Sequence, residues 1–110
     1  MKIAIVGSRE LIINNFEEYL PSDTTEIVSG GAKGIDSCAA IYAKQYQIKL
    51  TEFKPNYKRY GKAAPILRNN DIINYADMIL VFWNGKSNGT RYVINKCIKD
   101  NKPHTVYLYE

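Results

Sequence analysis

Met78-Ile79-Leu80-Val81-Phe82-Trp83, running straight into Asn84-Gly85-Lys86-Ser87-Asn88-Gly89-Thr90, is the stretch on which the fold turns. Six apolar residues without alternation read as a strand buried on both faces of a parallel sheet, and the glycine-bearing loop after it leads into a helical pattern. Lys2–Val6 (KIAIV) is a second such run and also ends in a glycine turn, Gly7-Ser8-Arg9. These two strands belong at the centre of the sheet. Ile48–Phe53 and Thr105–Glu110 alternate apolar with polar residues, as strands at or near the edges do, and Glu26–Ser29 supplies a short fifth strand. Helical spacing occupies Leu11–Leu20, Ile35–Gln47, Pro65–Ala76 and Thr90–Asn101. Strands alternating with helices give an α/β, Rossmann-like three-layer fold: a five-stranded parallel sheet in the order 3-2-1-4-5, with helices on both faces. Ile3, Ile5, Ile79 and Val81 form its core.

A chain of 110 residues makes one domain, 1–110, and 45% hydrophobic with 24% charged residues is an ordinary globular composition. No apolar run is long enough for a membrane span and the first residues lack the layout of a signal peptide, so a cytoplasmic protein without membrane contact is expected. Cys38 and Cys97 lie in helical patterns without a CxxC pair, which favours reduced thiols over a disulfide or metal site. With His104 as the single histidine, neither a histidine-rich metal site nor a Ser/His/Asp triad is supported. No catalytic residue, metal or cofactor is assigned. The net charge of +4 is concentrated between Lys44 and Arg68, where Glu52 is the single acid. An anionic partner or a solvated lysine-rich surface would both account for it.

Ligands of doubly wound sheets bind outside the carboxyl ends of the strands, near the point where strand order reverses. Three loops there hold six of the seven glycines: Gly7-Ser8-Arg9, Ser29-Gly30-Gly31-Ala32-Lys33-Gly34-Ile35-Asp36 and the Asn84–Thr90 loop. Glycine permits close backbone approach, and N–H groups at a helix start attract anions, so each loop reads as a phosphate cradle. The ligand-facing set is Gly7, Ser8, Arg9, Ser29, Gly30, Gly31, Lys33, Gly34, Asp36, Arg68, Asn69, Ser87, Gly89 and Thr90. Arg68, with Arg9, is the favoured phosphate ligand because guanidinium binds phosphate bidentately; an ion pair between Arg68 and Asp36 is compatible with that role. Asp36 suits a ribose hydroxyl or a helix cap. Tyr57, Tyr60 and Trp83 offer aromatic faces to a base, although packing is as good an account of Trp83. The GxGxxG and GxxxxGK[ST] fingerprints are both absent, which argues against a dinucleotide dehydrogenase and a P-loop ATPase.

The ordered set of these loops with Gly61-Lys62-Ala63-Ala64, Arg68-Asn69 and Phe82-Trp83-Asn84-Gly85 resembles the SLOG superfamily, nearest to its small YspA-like group, over Met1 to about Lys99. That resemblance implies a Rossmann-like fold, a site for a phosphorylated nucleotide-type small molecule, and a homodimer formed through helices flanking the sheet. The superfamily includes DprA, which binds single-stranded DNA, and the LOG phosphoribohydrolases, which cleave N-glycosidic bonds of nucleotides. In the latter a glutamate follows the last-loop threonine by three residues; here that position is Val93. A ligand-binding or sensing module is therefore the first expectation, DprA-like binding of single-stranded nucleic acid the second, and a hydrolase the third.

Overall fold

The computed structural model describes residues 1–109; the last residue of the expected fifth strand, Glu110, lies outside them. Five strands, β1 (Lys2–Gly7), β2 (Glu26–Ser29), β3 (Lys49–Glu52), β4 (Met78–Trp83) and β5 (His104–Leu108), form one sheet in the order β3-β2-β1-β4-β5. Every neighbouring pair is parallel. The expected architecture is thus observed. β1 and β4 pair from Ile3↔Met78 to Gly7↔Phe82, and Ile3, Ile5, Ile79 and Val81 are 0% exposed. The alternating strands β3 and β5 take the two edges.

Side-chain alternation along the central strands sends Ile3, Ile5, Leu80 and Phe82 to one face, and Ala4, Val6, Ile79 and Val81 to the other. The second face is covered by α3 (Ala64–Tyr75) and α4 (Asn88–Lys99), through Ile72, Ile73, Val93 and Cys97. The first is covered by α1 (Ile35–Gln45), through Ile35, Ala39, Tyr42 and Ala43. A one-turn helix, α2 (Tyr57–Tyr60), interrupts the segment between β3 and α3, and its Asn56 side chain accepts the Arg59 N–H. Burial pushes the Cys97 thiol up to about 11, and Cys38 is half-buried; both are free. Among the described residues no helix is long and apolar enough to cross a membrane.

The helix expected over Leu11–Leu20 does not form. That segment contains a single 3-10 turn, Phe16–Glu18. Asn14 and Asn15 are weak helix formers that favour local side-chain bonds, and Asn15 Nδ2 donates to Glu18 Oε2 at 2.6 Å. Phe16 is fully buried and meets Tyr42 and Phe82 edge to face, while Ile12 is exposed. The segment covers the sheet with inserted side chains instead of a helix stripe.

At the opposite, amino-terminal rim Glu26 gathers a polar network. Its Oε2 accepts from the hydroxyls of Tyr75 (2.6 Å) and Thr51 (2.7 Å), and Oε1 lies 3.4 Å from Lys49 Nζ. The Tyr75 bond, against the opposing effect of burial and with further help from Thr51 and Lys49, holds its pKa below the usual value. A depressed carboxyl stabilises the fold above its unfolded pKa, and this is lost as pH falls through the folded value. Glu26→Gln should therefore lower the denaturation midpoint near pH 7, and the gap to the parent should close below about pH 4. A gap independent of pH would contradict the assigned network.

Candidate functional site

Where β1 and β4 run side by side and their onward connections diverge, the carboxyl rim opens into a cleft of about 110 Å³. Ser8 organises it from below. Its N–H donates to Phe82 O (3.0 Å), its carbonyl accepts from Leu11 and Ile35, and its Oγ accepts the Asn84 N–H at 3.1 Å. The first loop, the last loop and the start of α1 are thereby fastened to one buried hydroxyl residue. Ser29 acts likewise for the second loop: fully buried, its Oγ donates to Asp36 O and accepts from Gly31 N. Asn84 Oδ1 accepts from both Lys86 N and Ser87 N, which turns the last loop into α4. Ser87 caps that helix by accepting from Thr90 N and Thr90 Oγ1. The N–H groups of Asn88 and Gly89 find no acceptor among the described residues, so the first turn of α4 retains two free donors.

The cleft wall carries Gly7, Arg9, Asp36, Arg68, Asn69, Ser87, Gly89 and Thr90 from the expected set. Arg68 lies in the second turn of α3, whose first turn holds Pro65. From there its Nη1 reaches back to Gly30 O at 2.5 Å and Phe53 O at 3.5 Å, while Nε donates to Asn69 Oδ1 at 2.8 Å. Nη2 has no partner among the described residues. No ion pair joins Arg68 to Asp36; the two side chains flank Gly30, where any Cβ would overlap Arg68 Nη1 and Asp36 Oδ2. A larger residue at Gly30 would have to displace the tips of both side chains.

Asp36 is buried, and its Oδ2 accepts the Ala32 N–H at 3.2 Å. Burial raises its pKa; the Ala32 bond and the charges of Arg68 and Arg9 oppose that shift, and Glu52 adds to it. A raised carboxyl contributes stability fully present below its unfolded pKa and lost as pH rises through the folded value. Above the folded value the Asp36 carboxylate therefore carries a cost to the fold. Asp36→Asn keeps an acceptor for Ala32 and should raise the stability of the unliganded protein at pH 7 by about 0.5–2 kcal/mol, the usual yield of relieving a functional compromise. Thermal melts from pH 8 down to 4 should show the advantage shrinking; a variant less stable at pH 7 would sink the reading.

Two further depressions adjoin the cleft. One, about 390 Å³, is lined by Arg9, Gly30, Gly31, Lys33, Tyr57 and Arg68 among others; the second, about 440 Å³, by Ser8, Arg9, Lys86, Ser87 and Gly89 among others. Arg9 borders all three, so they form one groove across the rim. Gly7 lines the central cleft, whereas Gly34 supports the groove without bordering it. A Cβ on Gly7 would strike Phe82 O and Ile35, and one on Gly34 would strike the backbone of Arg9. Tyr60 borders none of the three depressions; its exposed ring lies under Arg59 at 5.2 Å. Trp83 also stands apart from the groove's centre, with its Nε1 donating to Ser87 O at 3.1 Å and Arg91 5.5 Å from its ring.

Comparison of the chain with family models, curated proteins and solved structures gives no match in any of the three. The site's chemistry therefore rests on its own residues. Val93, three residues after Thr90, is buried and lines the cleft with an apolar side chain. Ala32, Pro65 and Ile72 also line it and were not among the residues expected there, because nothing local marks an ordinary helix or loop residue as facing a cleft. Lys86 had a usable signal, its place inside the glycine loop.

Proposed function

We propose that the protein binds a phosphorylated, nucleotide-type ligand in the rim groove, with its phosphate in the central cleft. The observation that carries this reading is that Arg9, Arg68 with its unpaired Nη2, and Gly89 with its unpaired first-turn N–H all border one small cavity. Its 110 Å³ suits a phosphate group and falls well below the ~300–1,000 Å³ of pockets that enclose whole drug-sized ligands. The remainder of the ligand extends along the flanking depressions. Asp36 serves the neighbouring hydroxyl of a ribose, for which a buried acceptor is suited. The likeness of the glycine loops to the SLOG superfamily supports the same ligand class. With Val93 in the cleft, no carboxylate occupies the position used by LOG enzymes, and binding or sensing is preferred over hydrolysis.

A second reading, binding of single-stranded nucleic acid, is favoured by one feature. Exposed Tyr57 borders the groove beside a surface carrying Lys54, Lys58, Arg59 and Lys62. Stacking on tyrosine beside a basic track is how such strands are held.

Thermal-shift titration with nucleotides, nucleotide sugars and cyclic dinucleotides tests the first reading. A ligand at 100 times its Kd adds about 2.7 kcal/mol, which for a domain of this size is a rise of about 10–20 °C. Arg9→Ala should abolish most of that rise while leaving the unliganded melting temperature nearly unchanged, since the Arg9 side chain is exposed and makes no hydrogen bond among the described residues. An oligonucleotide whose affinity falls with a log-salt slope of roughly 0.7 per neutralised phosphate, reduced by Lys58, Arg59 and Lys62 together changed to Ala, would establish the second reading instead.

A further inference from the structure

Beyond Lys86 the groove continues into the largest of these hollows, about 620 Å³, at the tips of β4 and β5. It shares Glu10, Asn84 and Lys86 with the adjoining depression, so the two are one continuous surface. Its character differs from that of the phosphate cleft. Leu11, Trp83, Leu108 and Tyr109 line it, and Leu108 is 55% exposed although it sits in a regular strand beside the core. The floor is held in place: Trp83 pairs with Leu108 across the sheet, Tyr109 N donates to Trp83 O at 2.8 Å, and the indole N–H is tied to Ser87 O. A fixed indole beside an unburied leucine is an apolar surface formed before any ligand arrives.

We propose that this hollow receives the aromatic moiety of the ligand whose phosphate lies at Arg9 and Arg68. The assignment rests on the phosphate reading and gives the ligand a direction: from the arginines, past Lys86, towards β5. Charge enforces that direction. Glu10 stands at the border of the hollow, where it repels phosphate and accepts from a hydroxyl or exocyclic amine. The rival place for a base, the depression at Tyr57, offers one aromatic ring among glycines, Lys33 and the two arginines, and is smaller at about 390 Å³.

Trp83 is the single tryptophan of the chain, so its fluorescence reports on the hollow directly. Inorganic phosphate and the four common nucleoside monophosphates are titrated against the protein, with affinity and Trp83 emission both recorded. At least one nucleotide should bind about tenfold or more tightly than inorganic phosphate and change the emission saturably, the gain expected of burying one base against aromatic and aliphatic side chains. Leu108→Glu should remove that gain and leave the affinity for inorganic phosphate unchanged. Leu108→Thr, which suits an exposed strand position, should remove part of it and guards against a folding defect in the glutamate variant. Nucleotides that bind no tighter than phosphate would overturn the assignment, as would a gain lost in Tyr57→Ala and kept in both Leu108 variants; the phosphate site would stand in either case. Failure of phosphate and every nucleotide to bind would overturn the phosphate site, and this assignment with it.

Discussion

Arg68→Ala is expected to weaken ligand binding by about 2–5 kcal/mol, the range for truncating one member of a desolvated charge pair. The side chain is half-buried and already orients itself: Nε on Asn69 and Nη1 on the carbonyls of Gly30 and Phe53 leave Nη2 unpaired, so a phosphate bound there would meet it at little further cost in rotamer entropy. Those same bonds tie α3 to the loops after β2 and β3. The variant should therefore also lose about 1–3 kcal/mol of unliganded stability, because two part-buried carbonyls lose a charged donor. Arg68→Lys should recover some of the binding and less of the bracing, since a single ammonium cannot serve Asn69, Gly30 and phosphate together. Titration calorimetry and denaturant melts on both variants separate the effects. If stability falls in Arg68→Ala and the affinity for phosphate or nucleotide does not, the arginine is a brace alone and the site loses its main anion ligand.

Gly34→Ala should be strongly damaging, costing about 2–6 kcal/mol. Gly34 precedes α1 at φ 72°, ψ −124°, a region open almost only to glycine, which by itself costs roughly 1–3 kcal/mol for alanine. The added Cβ would also overlap the Arg9 backbone, 2.5 Å from its carbonyl carbon and 2.6 Å from its Cα, where no flexible side chain can give way. Overpacking of that kind adds about 1–3 kcal/mol. Relief requires the first loop to move, so Arg9 should leave the groove and ligand affinity should fall together with stability. Gly89→Ala is the internal contrast. Its Cβ would meet nothing within 4 Å, and the residue lies inside the first turn of α4, so stability should hold or rise by up to about 1 kcal/mol. Urea denaturation of the two variants checks the pair; equal midpoints would mean that the two loops do not touch as described.

Much of this site is legible in the amino-acid sequence. The unbroken apolar runs of β1 and β4, the alternation of β3 and β5, and the helical spacing of α1, α3 and α4 are signals carried within a few neighbouring residues, and they place the glycine loops at one rim by topology alone. Charge and loop chemistry likewise point to Arg9, Asp36, Arg68, Ser87, Gly89 and Thr90, all of which border the central cleft. Leu11–Leu20 misleads because the spacing of apolar residues does not say whether a stripe or separate side chains will cover the sheet; Phe16 inserts between Tyr42 and Phe82, which are distant in the chain.

Strand order, the parallel sheet and the glycine-rich rim were determined by the sequence itself, because hydrophobic period and turn chemistry are local properties. The division of labour within the rim was decided only in three dimensions. Ser8 and Ser29 look like phosphate ligands in a glycine loop, yet both are buried and commit their hydroxyls to the loops themselves. Gly34 has its φ and its neighbour Arg9 dictated by the meeting of two loops 25 residues apart, and Arg68 turns back from the second turn of its helix to a carbonyl 38 residues away. The hollow at Trp83 exists because β5 pairs with β4 and sets Leu108 beside the turn at Gly85. In each case the deciding contact joins segments far apart in the chain, and burial and hydrogen-bond partners are settled only when packing brings those segments together.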